Sequence, residues 1–394
     1  MATTTATMKV RLGSEQLLAS GALKKTRVGV VSNPASIDAN FQHIVRAVAN
    51  EPDVTLAAIF GPQHGYRADV QDNMIETGHA KDPTRGVPVY SLYSETREPT
   101  AEMLNGVDVL VVDLQDVGSR IYTFIYTMAN CLRAGKKHGV PVIVTDRPNP
   151  IGGDNIGGPM LVKGFESFVG QFPIPLRHGM TIGELARLFN EAFGIGANLT
   201  VVPMQNWRRS MYFEETGLPW VMPSPNVPTI DTAVVYPGTV LFEGTNVSEG
   251  RGTTRPFELI GAPWVDAEAL AQKLGTYNLA GAHFRPVVFE PTFQKHAKQA
   301  CGGCQIHVVD RTAFRAVETA VAVLVEIRAQ NSAKFEWRQP PYEYEHTKLP
   351  FDILAGSSEL RQQIEAGLPM TTISYSWLSG LDRFRKTCQP FLLY

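Results

Sequence analysis

Two carboxylates six residues apart, Glu243 and Glu249, stand out in the run 241–253, LFEGTNVSEGRGT. Beside them lie the amide of Asn246, the hydroxyls of Thr245, Ser248 and Thr253, and the guanidinium of Arg251. A run this polar and rich in glycine is a loop with accessible backbone. It reads either as a solvated surface loop or as a ligand loop holding acid/base carboxylates. Paired carboxylates suit glycoside hydrolysis, one as general acid and the other as base or nucleophile. Aromatics such as Tyr66, Tyr122 and Trp220 would cover sugar faces. Structural ion pairs produce the same composition, so the elements that carry these residues must decide.

Apolar runs at 27–33, 54–60, 87–92, 107–114, 141–145 and 199–203 alternate with helical spacing at 14–24, 38–50, 99–105, 122–138 and 182–193. Apolar strands separated by helices argue a mostly parallel sheet covered on both faces, an α/β doubly wound fold. Ligands of such sheets bind beyond the carboxyl ends of the strands. There the sequence places Asn33; Gln63 and His64; Asp113, Gln115 and Asp116; and Asp146, Arg147 and Asn149. Any one of them alone reads as a helix cap; their convergence is the signal. The segment 66–85 is long and polar, as a functional loop or lid would be. A further strand-like run, 232–241, would deliver the Glu243 loop to the same edge. From 256 onward a helix at 266–275, strands at 284–289 and 304–309 and a helix at 312–328 read as a smaller α+β domain. The expected division is 1–255 and 256–394. The tail, 342–394, reads as short helices broken by prolines.

With 394 residues, 44% hydrophobic, 19% charged and a net charge of −2, the chain has an ordinary globular composition for two domains. This balance gives no electrostatic basis for nucleic acid or membrane partners, and no run is apolar enough to span a bilayer. No signal peptide is visible, which implies a cytoplasmic location as given, or a periplasmic or secreted one if a leader has been removed. Cys301 and Cys304 form a lone C-x-x-C without a standard zinc spacing, so reduced structural thiols are expected. There is no phosphate loop, dinucleotide fingerprint, H-E-x-x-H or G-x-S-x-G. No cofactor and no metal are therefore expected, and no oligomeric state is implied.

Seven stretches carry a resemblance over nearly the whole chain: FGPQHGYR, VVDLQDVGSRIYTFIYTM, TDRPNPIGG, FVGQFPIPLRHGMTIGELA, MPSPNVPT, YPGTVLFEGTNVSEGRGTTRPFELIGAPW and CGGCQIHVVD. In that order they resemble the exo-β-N-acetylmuramidase family. The resemblance implies a Rossmann-like domain housing the active site and a C-terminal auxiliary domain. It implies removal of terminal N-acetylmuramic acid from the non-reducing ends of peptidoglycan fragments, with a small saccharide or muropeptide as substrate and no nucleotide cofactor. By position it carries over Glu243, Glu249 and Asp116 as the candidate catalytic carboxylates. His64, Arg120, Asn149, Asn226, Asn246 and Arg251 become candidate substrate-binding groups, with the lactyl carboxylate a natural target for arginine.

One departure bears on activity. Many members have Pro-Glu-His-Gly where this chain has Pro62-Gln63-His64-Gly65. An amide cannot act as acid or base at neutral pH. Gln63 then becomes a candidate substrate-binding residue, as do Asp72 and Asn73, and Asp72 or Glu76 becomes a source for the missing carboxylate. The alternatives are a binding protein for amino sugars on the same scaffold, or a transferase using a phosphosugar.

Overall fold

The computed structural model of the chain describes residues 9–71 and 75–394. Its first half alternates as the apolar runs dictate. Helix α1 (Gly13–Ser20) precedes β1 (Arg27–Ser32), then come α2 (Ile44–Asn50), β2 (Thr55–Gly61), β3 (Ala80–Lys81), β4 (Pro88–Ser91) and β5 (Val109–Asp113). Next are α3 (Phe124–His138), β6 (Val142–Thr145), the hairpin strands β7 (Gly157–Met160) and β8 (Pro175–Arg177), α4 (Ile182–Glu191) and β9 (Leu199–Val202). Seven strands form one sheet in the order β3-β4-β2-β1-β5-β6-β9. All pairings in it are parallel except β3 with β4. The order reverses between β1 and β5, and this is where a doubly wound sheet opens a crevice at its carboxyl edge. Val30, Val31, Val111 and Val112 at its centre are completely buried, as continuous apolar strands covered on two faces must be.

The segment 99–105 is a chain of turns, without a helix. A larger departure concerns 232–241. It is a helix, α5 (Ile230–Thr239), running into a single 3-10 turn, Val240–Gly244. Thr229 caps it by accepting from Thr232 N at 3.2 Å. The β-branched residues Thr232, Val234, Val235 and Thr239 favour strand locally, but every side is packed, so the run shows no amphipathic period. Pro237 sits inside the helix and removes a donor where the chain tightens into the 3-10 turn. The Glu243 loop is therefore delivered by a helix end.

The remaining elements are β10 (Leu259–Ala262), α6 (Ala267–Leu274), β11 (Ala282–Phe289), β12 (Cys301–Val308), α7 (Ala316–Gln330), α8 (Pro350–Ala355), α9 (Glu359–Glu365) and α10 (Met370–Cys388). An antiparallel sheet β10-β12-β11 is backed by α6 and α5, and α7 packs on both of these helices. Cys301 and Cys304 are buried free thiols. An i, i+3 pair on a strand points to opposite faces, which agrees with structural thiols. Gly244 brings α8 onto the site loop, since a Cβ there would lie 2.5 Å from Phe351 Cα. No helix among the described residues is long and apolar enough to cross a membrane.

Candidate active site

The strand-end polar residues divide into two groups. Most tie loops together. Asp113 pairs with Arg147 at 3.0 Å, both buried, and Arg147 also donates to the carbonyls of Ala35 and Ile37. Asn33 donates to Pro223 O at 2.6 Å. Gln115 donates to Pro148 O at 2.8 Å. Gln63 and His64, which follow β2, instead line a small cavity of about 40 Å³ together with Tyr122, Thr123, Ser224, Asn226, Tyr236, Glu243, Arg251, Tyr342 and Glu343. The cavity lies at the carboxyl edge of the parallel sheet and is closed by residues from the C-terminal half.

Glu243 sits in the 3-10 turn after α5. Its Oε1 accepts from Arg251 Nη2 at 2.6 Å and its Oε2 from Tyr342 Oη at 2.7 Å. Burial opposes charge on Arg251, yet Glu243 and Glu249 together raise its pKa, so the guanidinium is a fixed cation against Glu243. Tyr342 is held neutral, its pKa pushed well above the usual value by burial and then by Glu243. It is therefore a donor to that carboxylate.

Glu343 faces the same cavity and has the opposite environment. Burial comes first, then the charge of Glu243; together they raise its pKa to about 7, against the hydrogen bonds of Tyr93 and Gln63. Tyr93 donates to Glu343 Oε2 at 3.1 Å. Gln63 Oε1 accepts from Thr123 Oγ1 at 2.7 Å, which turns its amide NH2 toward Glu343. The amide at the position of the family glutamate thus holds a glutamate from elsewhere in the chain. Glu343 and Tyr344 form a two-residue turn closed by Tyr342 N to Glu345 O and Glu345 N to Tyr342 O, both 2.9 Å. Their φ values are +44° and +68°, a left-handed conformation that costs non-glycine residues roughly 1–2 kcal/mol each. Such strain persists where the surroundings enforce it, and it concentrates at functional sites.

His64 also has positive φ, +69°. Its Nδ1 lies 2.8 Å from the Val70 carbonyl, which can only accept, so Nδ1 carries the proton and Nε2 is an acceptor. Burial lowers its pKa to about 4, so the ring is neutral near pH 7. Asn226 lines the wall and donates to Gln71 O at 2.9 Å.

Several candidate residues fall outside the lining. Glu249 forms ion pairs with Lys295 at 2.7 Å and Arg251 at 3.3 Å. Burial opposes its charge, but Lys295 and Arg251 prevail and its pKa is lowered. Gly250, at φ +77°, turns the chain so that Glu249 and Arg251 both face inward. Asp116 caps its own turn through Gly118 N at 2.7 Å and meets His178 at 3.2 Å. Arg120 is completely buried and donates to the carbonyls of Pro159, Ile174 and Leu354 at 2.8, 2.9 and 2.7 Å. It staples the β7–β8 hairpin to α8. Asn149 bridges Met180 O and Ile151 N, and Asn246 bridges Lys334 O and Glu336 N. Glu76 accepts from Tyr344 Oη at 3.1 Å, beside the cavity. Asp72 and Asn73 lie outside the described residues. Ser224, Tyr236, Tyr342 and Glu343 escaped the sequence reading; the only signal for the last two was the acid–aromatic alternation PYEYE after a proline.

Arg120→Met should orphan three buried carbonyls. We expect a loss on the order of 3 kcal/mol in denaturant unfolding, with KM little changed. A larger change in KM than in stability would show that Arg120 meets substrate.

Residues 28–231 match the family model described as exo-β-N-acetylmuramidase NamZ, N-terminal, and residues 234–394 match its C-terminal counterpart. The chain is 47% identical over 388 residues to the peptidoglycan β-N-acetylmuramidase NamZ of Bacillus subtilis strain 168, covering 98% of this chain and 92% of that protein. Crystal structures of two DUF1343 family proteins from Bacteroides fragilis superpose with TM-scores of 0.88 and 0.76 at 35% and 28% identity, each match covering 98% of this chain and 99% of the other. Matched by both family models along almost its whole length, the chain belongs to the exo-β-N-acetylmuramidase family.

Proposed function

We propose that the protein is a glycoside hydrolase that removes terminal, non-reducing, β-linked N-acetylmuramic acid from peptidoglycan fragments. The observation that carries the mechanism is the pair of unlike glutamates in one cavity. Glu343 has its pKa raised to about 7, and Glu243 is held against Arg251 at 2.6 Å. A buried carboxyl whose surroundings raise its pKa marks the acid, and Glu243 is the second carboxylate on the same cavity wall. Glu343, protonated, gives its proton to the glycosidic oxygen as the bond to the anomeric carbon breaks. Glu243, as base or nucleophile, meets the positive charge that develops on the sugar. Arg251 and His64 bind the terminal sugar, the guanidinium suiting its lactyl carboxylate and the His64 acceptor suiting a hydroxyl. Gln63 positions Glu343, so its lack of a carboxyl leaves the chemistry intact. The named activity of the Bacillus relative supports the same reaction.

The test is hydrolysis by the purified protein of a para-nitrophenyl β-N-acetylmuramide and of the disaccharide N-acetylmuramyl-N-acetylglucosamine. We expect release of N-acetylmuramic acid from both; release from neither would refute the reading. The pH dependence has a defined sign. An acid with a raised pKa is active while protonated, so kcat/KM for the disaccharide should fall as pH rises through about 7, the free-enzyme value. Tyr93 donates to the carboxylate and lowers that pKa. Tyr93→Phe should therefore move this limb to higher pH, and a downward move would contradict the assignment.

A further inference from the structure

We propose that Lys295, which lies outside the cavity, is a positioning residue for the hydrolysis: it holds Glu249 away from Arg251 and so keeps the guanidinium on Glu243. The inference rests on the glycosidase reading above. Glu243 and Glu249 come from one loop, and a single guanidinium lies between them. Arg251 Nη2 reaches Glu243 Oε1 at 2.6 Å, while its Nε reaches Glu249 Oε1 at 3.3 Å. Glu243 and Arg251 line the cavity, whereas Glu249 and Lys295 do not. The two carboxylates are chemically alike and both buried, so what sends the guanidinium to Glu243 must lie behind Glu249. There Lys295 Nζ meets Glu249 Oε2 at 2.7 Å.

Lys295 also fixes the backbone of the loop. Its Nζ donates to Phe242 O at 2.7 Å and to Val247 O at 3.1 Å, one residue before Glu243 and two before Glu249. Two carbonyls and a carboxylate only accept, so all three ammonium hydrogens are used. Lys295 is therefore charged, although burial lowers its pKa against the pull of Glu249. It stands between β11 and β12, in a segment that grips the same loop twice more. Thr292 N and Oγ1 donate to Gly252 O at 2.9 and 2.8 Å, and His296 Nε2 donates to Asn246 O at 2.7 Å. Gln294, His296 and Lys298 of this segment have φ values of +68°, +54° and +62°, a conformation non-glycine residues keep only where the surroundings enforce it. Without the ammonium, Glu249 would be a buried carboxylate with Arg251 as its remaining charged partner. An uncompensated buried charge is costly, so the guanidinium would swing toward Glu249 and release Glu243.

The experiment is kcat/KM for para-nitrophenyl β-N-acetylmuramide in wild type, Lys295→Met and the double variant Lys295→Met/Glu249→Gln. Each is assayed at a temperature where circular dichroism shows it fully folded. This substrate needs no proton from Glu343, so its rate reports on Glu243. We expect Lys295→Met to lose about 10²-fold, the cost of misplacing a reacting group by on the order of 1 Å. The double variant should recover about tenfold or more, because removing both buried charges leaves neither uncompensated and no second carboxylate competes for Arg251. A purely structural ion pair predicts wild-type rates in every folded variant. Such rates, or a double variant as slow as Lys295→Met, would overturn the positioning role while leaving the hydrolase reading standing. If Lys295→Met does not fold, Lys295→Gln, which still donates to the two carbonyls, takes its place in the same comparison. Failure of wild type to hydrolyse the substrate would remove the hydrolase reading, and the role of Lys295 with it.

Discussion

Glu343→Gln should slow hydrolysis of the disaccharide by about 10²–10⁴, the usual worth of a positioned general acid. The same substitution should cost far less on the para-nitrophenyl glycoside, because a nitrophenolate leaves without a proton. The change is nearly isosteric, so the hydrogen bonds from Tyr93 and Gln63 can be kept by the amide oxygen. Unfolding is then not the expected cause of the loss. Equal losses on both substrates would reduce Glu343 to a binding or structural residue.

Glu243→Gln should be at least as damaging, on the order of 10³ or more on both substrates, since base or nucleophile is needed whatever the leaving group. Its effects should spread further. Arg251 would keep Glu249 at 3.3 Å as its remaining carboxylate partner, and the Tyr342 hydroxyl would face an amide. Glu243 also raises the pKa of Glu343, so the residual activity should lose its alkaline limb at lower pH than wild type does. Activity within tenfold of wild type would shift the partner role to another group.

The parallel sheet was legible because strands covered on both faces must be apolar throughout, and Val30, Val31, Val111 and Val112 obey that rule. The same rule obscured α5. A helix packed on all sides has no polar face, and its β-branched residues read as strand. The Glu243 loop was recognisable by its polarity and glycines, but residue types could not say which carboxylate lines the cavity. Glu249 looks identical to Glu243 in sequence; the difference is Lys295, 46 residues away, which takes Glu249 into an ion pair. Arg120 likewise looked like a ligand residue, yet three carbonyls claim it.

Glu343 was hidden for a different reason. It lies 280 residues from Gln63, with which it shares a hydrogen bond. It is aimed by a turn of two positive-φ residues, neither of which is glycine. Turn prediction depends on glycine and asparagine at such positions, so an enforced left-handed turn leaves no local mark. The candidate cavity draws on both family regions. The N-terminal family region supplies Gln63, His64 and Asn226, while both glutamates come from the region matched by the C-terminal model.

The most direct measurement is the pH profile of kcat/KM for the disaccharide, taken for wild type and for Glu343→Gln. The proposed mechanism predicts a wild-type alkaline limb near the value of about 7 set by the surroundings of Glu343, and its disappearance from the residual activity of the variant. A limb that persists unchanged in Glu343→Gln would show that another group is the acid.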